Sequence, residues 1–313
     1  MLELDWIRGC ATALITPFTK SGEVDVPRLR ALAERQIAGG VRLLVPCGTT
    51  GESATMTEEE DRLVIKITVE VVHSSSGTKN PARVIAGVGS NSTVSAIEYA
   101  QSARDLGADA LLTVAPYYNK PTQDGLFAHF RAIAEAVSDV PVVIYNVPGR
   151  TACNITAATT LRLAREVENI VAVKEASGNM SQIMAILHER PTGFRVLSGD
   201  DALCFPLLAL GADGVISVVS NEAPDLMSQM VEAAFTGEWE IARTLHYRLL
   251  PLMEANFIET SPGPVKAALA LMGLIEENFR LPLVPVTEQT RTTMRNTLER
   301  IGLLQGTKHV IAA

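Results

Sequence analysis

The sequence predicts an α/β protein, a (β/α)8 TIM barrel with a C-terminal helical extension. Three observations carry that prediction. Short apolar runs recur eight times before residue 220, beginning roughly 20 to 40 residues apart. Most of them are continuously apolar rather than alternating, as strands buried on both faces of a parallel sheet must be. The intervals read as helices, and eight strand–helix units over about 235 residues match the size and rhythm of a barrel. A doubly wound open sheet has the same alternation, and periodicity alone does not show closure.

The first run covers residues 9–16. An amphipathic stretch over 25–37 follows and stops at Gly39-Gly40, a helix terminator. The second run, 41–45, leads into Cys47-Gly-Thr-Thr-Gly-Glu-Ser53. Thr57-Glu58-Glu59-Glu60 then has the form of a capping box ahead of an apolar helix. The third run, 84–88, precedes a helix over 93–106 that ends at Gly107. The fourth, 110–115, precedes a helix over 122–137. The fifth and sixth, 142–145 and 170–173, are followed by helices over 157–167 and 180–189. The seventh and eighth, 194–197 and 214–219, are followed by helices over 202–210 and 223–235. Beyond Gly237 the buried-strand signal stops. Helices are expected over 238–256, 264–274 and 287–304, with the proline-rich 281–285 segment separating the last two. The expected division is a catalytic barrel over 1–237, a helical domain over 238–304 and a loose tail over 305–313.

Composition narrows the function. The chain of 313 residues carries 35 acidic and 27 basic side chains, a net charge of -8, which argues against a nucleic-acid surface. Residues 1–9 include Glu3 and Asp5 and lack the apolar run of a secretory leader. No stretch approaches the roughly 20 apolar residues of a membrane span. Cys10, Cys47, Cys153 and Cys204 lie far apart in apolar surroundings, as reduced, buried cysteines of a cytoplasmic protein do. The histidines lack zinc-site spacing, so no metal is expected, although carboxylates remain able to hold magnesium. No G-x-G-x-x-G fingerprint occurs, and no cofactor is expected.

In a barrel the functional face is built from the loops that follow the strands. Of seven lysines, six fall in loops or on expected helices, and only Lys174 ends an apolar strand. A lysine in a barrel mouth is desolvated, which lowers its pKa and exposes a nucleophilic amine suited to Schiff-base chemistry. The competing reading is a structural lysine paired with a carboxylate from another strand. Glu175 is a poor candidate for that partner, because neighbours on a strand point to opposite faces. Tyr117, Tyr118 and Tyr145 also sit near strand ends, where a phenol can relay a proton. Tyr145 leads into a turn that presents Arg150, a two-pronged clamp for a carboxylate. A core tyrosine and a surface arginine are the plain alternatives. The 47–53 loop can turn successive N–H groups toward an anion, or be only a turn. The loops after the seventh and eighth strands, Ser198-Gly-Asp-Asp201 and Ser217-Val-Val-Ser-Asn221, are acidic or neutral. The usual phosphate site of such barrels would lie there, so an unphosphorylated substrate is expected.

Taken together, Gly48-Thr-Thr-Gly-Glu52, Tyr117-Tyr118, Tyr145-Asn-Val-Pro-Gly-Arg150 and Val173-Lys-Glu-Ala-Ser-Gly178 resemble the dihydrodipicolinate synthase / N-acetylneuraminate lyase family. Ser198-Gly-Asp-Asp201 and Gly214-Val-Ile-Ser217 fit as well, and the match runs in order from about Gly9 to Leu304. The resemblance implies a class I lyase in which Lys174 forms an imine with pyruvate and the derived enamine attacks an aldehyde. It implies Tyr145 as general acid/base, with Thr49 and Tyr118 completing a proton relay, Tyr118 reaching in from a neighbouring subunit. Thr50 would hold the pyruvate carboxylate, and Gly199 and the Ile216 carbonyl would line the pocket. A shared tyrosine implies at least a dimer, and the family is commonly a tetramer built as a dimer of dimers. Arg150 stands where synthases that use aspartate-β-semialdehyde bind that substrate's carboxylate. Members acting on sialic acid or other sugar acids generally lack it and tend to have serine in place of Thr49. The synthase of the lysine and cell-wall precursor route, in the cytoplasm, is therefore expected, with a sugar-acid or hydroxy-oxoacid aldolase as the alternative.

Two departures stand out. Lysine-inhibited members often carry histidines on the helix after the Gly-Thr-Thr-Gly-Glu loop, whereas Thr57-Glu-Glu-Glu-Asp61 has none, and Ser95 replaces a commonly acidic residue. Weak or absent inhibition by lysine is expected. The 74–80 segment is longer than usual and receives no role.

Overall fold

The structure is a computed structural model that describes residues 5–74 and 81–304. Residues 75–80 and the expected 305–313 tail lie outside the described residues. The eight expected strands are all present: β1 (Gly9–Ala13), β2 (Leu43–Val45), β3 (Arg83–Gly87) and β4 (Ala110–Val114), then β5 (Val142–Asn146), β6 (Ile170–Glu175), β7 (Arg195–Ser198) and β8 (Gly214–Ser217). They pair in parallel, each with its sequence neighbours, and β8 returns to β1 to close the barrel. Closure excludes the open sheet.

Helices alternate with the strands: α1 (Val26–Ala38), α2 (Glu58–Ser74), α3 (Thr93–Asp105) and α4 (Gln123–Ala136). The short α5 (Pro148–Thr151) precedes α6 (Ala157–Glu166), α7 (Met180–Glu189), α8 (Asp201–Ala209) and α9 (Pro224–Phe235). After them come α10 (Trp239–Ala255), α11 (Gly263–Leu271) and α12 (Glu288–Ile301). The start signals act as their chemistry dictates. Asp25 accepts the Arg28 N–H at 3.1 Å. Thr57 Oγ1 accepts the Glu60 N–H at 3.3 Å while Glu60 accepts the Thr57 N–H at 2.9 Å, the reciprocal capping box expected of that sequence.

Two strands end earlier than their apolar runs. Residues 14–16 and 218–219 were expected to extend the first and eighth strands, yet β1 stops at Ala13 and β8 at Ser217. The Asn221 amide takes over there, donating to the Ala13 carbonyl at 2.9 Å and accepting the Ile15 N–H at 3.2 Å. Residues 219–221 close into a turn of 3-10 helix instead. A buried side chain has replaced ladder bonds, which period-based reading cannot detect.

Side-chain alternation divides the core into two shells. Ala11, Leu43, Ile85, Leu112, Val143 and Ile216 are among those that fill the barrel interior. Leu44, Val84, Leu111, Ile144, Val173 and Val196 face the helices. A third cluster joins α8 and α9 to α10 and α12, so the C-terminal helices share a core with the last barrel units.

At the functional end the chain crosses the tip of β3 closely. A Cβ placed on Gly87 would lie 2.2 Å from the Cys47 carbonyl oxygen. Gly87→Ala should therefore destabilise the fold by about 1–3 kcal/mol, seen as a lower urea midpoint. An unchanged midpoint would show that the loop yields without cost.

Candidate active site

The parallel register sets Tyr145 of β5 directly beside Lys174 of β6. Both project inward, and Lys174 Nζ lies 4.2 Å from the centre of the Tyr145 ring. Lys174 is only 7% exposed, and among the described residues no carboxylate lies within ion-pair distance of it. Lys174 is thus not the salt-bridged structural lysine of the competing reading. Gly199, just after β7, leaves room for its stem: a Cβ there would stand 3.1 Å from Lys174 Cε and 2.7 Å from the Ala176 Cβ.

Glu175 points the other way, as alternation requires. It is buried and accepts from Asn146 Nδ2 at 3.0 and 3.2 Å, from the Ser177 N–H at 2.7 Å and from Gln182 Nε2 at 3.1 Å. Asn154 joins this network through Asn146 Nδ2 at 2.9 Å, and Asn146 Oδ1 accepts the Ile155 N–H at 2.9 Å. The ends of β5 and β6 and the loop carrying Arg150 are tied together from behind. Sequence reading missed this network. Its signal was the polar residue placed immediately after each inward-facing one, Asn146 after Tyr145 and Glu175 after Lys174.

Burial governs the electrostatics. Desolvation pulls the Lys174 ammonium down to about 8; Asp201 opposes the shift and the positive Arg150 adds to it. Burial pushes the Tyr145 phenol up to about 12, against the pull of Arg150. At pH 7 roughly one Lys174 in ten is then a neutral amine, while Tyr145 keeps its proton.

A cavity of about 720 Å³ opens above this pair, and Thr49, Thr50, Tyr145, Arg150, Lys174 and Gly199 all line it. In the 47–53 loop, the Gly51 N–H bonds the Gly48 carbonyl at 3.0 Å and the Glu52 N–H bonds the Thr49 carbonyl at 3.1 Å. Among the described residues the Thr49 and Thr50 N–H groups have no such acceptor. These are donors available to an anion, as the loop's glycines suggested. Arg150 rides on α5, where a simple turn was expected, and no described carboxylate pairs with it.

Two expected site residues, Ile216 through its carbonyl and Tyr118 from a neighbouring subunit, are not among the residues lining the cavity of the single chain. The Ile216 side chain is packed in the barrel interior, outside the cavity wall. Tyr118 is 89% exposed, with φ of 73°, and does not line the cavity of its own chain, whereas its neighbour Tyr117 does. The C-terminal part supplies wall residues that the sequence did not indicate, including Phe257, Thr260, Ser261, Pro282 and Leu283.

The phosphate position of such barrels is filled by the protein itself. Asp200 accepts the Ala202 N–H at 2.9 Å at the start of α8. Asp201 accepts the Val218 and Val219 N–H groups at 2.9 and 3.0 Å. Donors that would receive a phosphate already hold carboxylates. Among the described residues, no group of three or more His, Cys, Asp or Glu side chains is placed to hold a metal. The four cysteines are free and buried.

A closed barrel whose mouth sets an unpaired, desolvated lysine beside a tyrosine belongs to the class of barrels equipped for amine-nucleophile chemistry. The model of the dihydrodipicolinate synthetase family matches residues 6–301, and the chain belongs to that family. A 4-hydroxy-tetrahydrodipicolinate synthase from Koribacter versatilis is 52% identical over 300 residues, covering 96% of this chain and 97% of that one. Two solved structures are similarly close. A chloride-inhibited dihydrodipicolinate synthase from Acinetobacter baumannii complexed with pyruvate has 44% identity and a TM-score of 0.91, covering 95% of this chain and 100% of that one. A DHDPS from Cyanidioschyzon merolae with lysine bound has 44% identity and a TM-score of 0.91, covering 96% and 99%.

The neutral amine of Lys174 is the nucleophilic form. Borohydride trapping of pyruvate should therefore accelerate as pH rises through about 8 and then level off. A rise delayed toward 10.5, the ordinary lysine value, would show that burial does not activate this side chain.

Proposed function

We propose that the chain is a class I, Schiff-base-forming lyase. It condenses pyruvate with aspartate-β-semialdehyde to give 4-hydroxy-tetrahydrodipicolinate, on the route to diaminopimelate and lysine. The observation that carries this reading is the unpaired, desolvated Lys174 beside Tyr145, facing a cavity that Arg150 also lines. Curated relatives near 50% identity over nearly the whole chain are synthases of this name, which supports the second substrate.

The chemistry follows from the groups present. Lys174 Nζ adds to the pyruvate C2 carbonyl, and water leaves to give the imine. Thr50 and the neighbouring loop amides hold the pyruvate carboxylate. The imine draws electrons from the methyl group, a proton leaves, and the enamine carbon attacks the aldehyde carbon. The resulting alkoxide takes up a proton. Tyr145, a phenol that stays protonated at neutral pH, is placed to deliver and recover protons at these steps. Thr49 and Tyr118 complete the relay. Arg150 clamps the carboxylate of the semialdehyde. Ring closure by the substrate amine on the imine carbon then frees Lys174.

Tyr118 serves this scheme only from a second subunit. Its exposure beside the half-exposed Tyr117 supports a homo-oligomer in which this edge packs against a partner, assembled as a dimer of dimers. Among the described residues no helix is long and apolar enough to cross a membrane. A cytoplasmic location follows from the biosynthetic role.

The test is condensation of pyruvate with aspartate-β-semialdehyde beside N-acetylmannosamine and succinic semialdehyde. Turnover is expected with the first aldehyde. Arg150→Ala should raise its KM by about tenfold to a hundredfold, the worth of a charged hydrogen-bonded contact, while pyruvate still forms the Lys174 adduct. Turnover with another aldehyde and none with the first would move the protein to the aldolase branch. Lysine is expected to inhibit weakly or not at all, because Glu58 and Asp61 face the cavity where lysine-binding histidines would stand. Inhibition by submillimolar lysine in the steady state would refute that expectation.

A further inference from the structure

A second buried lysine lies at the site's rim. Lys266, on α11 of the C-terminal part, is 0% exposed and pairs with Glu52, which is 2% exposed and ends the Gly48-Thr-Thr-Gly-Glu52 loop. Lys266 Nζ also donates to the Asn278 carbonyl at 2.9 Å. It lies 4.4 Å from the centre of the Phe18 ring and 5.0 Å from that of Phe279. Every side of the ammonium is therefore met by protein, and it is not a nucleophile in waiting.

The backbone shows what the pair acts upon. Cys47 and Glu52, both non-glycine residues with φ of 57°, bracket the four residues 48–51. Left-handed conformations at such residues cost about 1–3 kcal/mol each and persist only where the surroundings enforce them. Glu52 has no cap of its own, and its second carboxylate oxygen is buried without a partner. The ion pair is the contact that fixes the Glu52 side chain at this end of the loop, while Thr55 Oγ1 donates to the Glu52 carbonyl at 3.0 Å. Arg280 braces the next turn, donating to the Thr55 carbonyl at 3.0 Å and to both Glu60 oxygens at 2.6 and 2.5 Å. The same C-terminal segment thus grips the loop and the helix that follows it.

We propose that Lys266 is a positioning residue for pyruvate, acting through Glu52 to hold the Thr49 and Thr50 donors at the carboxylate-binding position. The C-terminal helical part is then a working component of the barrel's site, tethered at one buried charge pair. The inference rests on the functional reading above, in which Thr50 holds the pyruvate carboxylate.

The decisive protein is the full chain carrying Glu52→Gln together with Lys266→Met, which removes the tether without stranding a buried charge. Its pyruvate KM should rise by about tenfold or more, with the KM for the aldehyde within about twofold and kcat at saturating pyruvate reduced less than the KM rises. Lys266→Met alone leaves Glu52 charged and buried, so it should melt lower and lose pyruvate affinity at least as far; where it does not fold, the double variant decides. A folded double variant whose pyruvate KM stays within about twofold of wild type overturns the proposal, as does a parallel rise in both KM values. Borohydride trapping of wild type with pyruvate separates the two levels. If wild type itself forms no Lys174 adduct, the functional reading falls and this role falls with it.

Discussion

Alternation of side chains at the strand ends of a closed parallel barrel is the constraint on which this molecule depends; the one register shift between β5 and β6, at Val142/Val143, lies before the ends where it matters. At the end of β5 alternation sends Tyr145 into the lumen and Asn146 into the helical shell. At the end of β6 it does the same with Lys174 and Glu175. Inward positions at the strand ends face the cavity, because the lumen below them is packed with apolar side chains. Outward positions become scaffolding, because the shell offers amides to bond. A one-residue slip of β6 would bury Glu175 in the lumen and press the lysine against helices. The network of Glu175 with Asn146, Ser177 and Gln182 makes such a slip costly, since it would break several charge-assisted bonds at once. The inner site is kept in register from outside.

Two buried lysines in one protein show how burial alone does not decide function. Lys266 has a carboxylate partner, a carbonyl acceptor and two aromatic rings around it. Lys174 has a tyrosine ring, the more distant field of Asp201 and the repulsion of Arg150. Desolvation lowers the proton affinity of both. Of these two, only Lys174 has nothing nearby to repay the ammonium with a hydrogen-bonded charge, the condition that the proposed amine chemistry requires. Placing Asp201 on the two amides of Val218 and Val219 is part of this outcome. A carboxylate engaged with backbone donors is held away from the lysine, yet remains near enough to moderate its shift.

The architecture was legible in the sequence because every unit repeats one physical pattern: a run buried on both faces, a cap, an amphipathic helix. Lys174 was legible too, as a charged residue ending an apolar strand. What escaped was pairwise and long-range. Lys266 looked like any lysine on a helix, since nothing local reveals that Glu52, 214 residues away, lies against it. Asn221 as a stand-in for ladder bonds to Ala13 and Ile15 was hidden for the same reason, and so was the cavity wall from Phe257 to Leu283. Tyr118 marks a different limit. Its single-chain surroundings are solvent, and the role that the family resemblance gives it requires a second copy.

The site also explains why the same fold can drop its phosphate habit. Barrels of this kind offer backbone amides after β7 and β8, and those amides must be satisfied by something. Here Asp200 and Asp201 do so from within the chain. An internal carboxylate is always present, so these amides are already occupied and offer no free donors to a second anion. Among the described residues the free backbone donors at the mouth instead include those of Thr49 and Thr50, and Arg150 lines the same cavity without a carboxylate partner. Two separate sets of free donors lining one cavity with Lys174 suit the proposed joining of two small carboxylates. A single phosphate cradle would hold one substrate by its tail. The distribution of satisfied and unsatisfied donors around Lys174 thus carries as much information on substrate class as the nucleophile does.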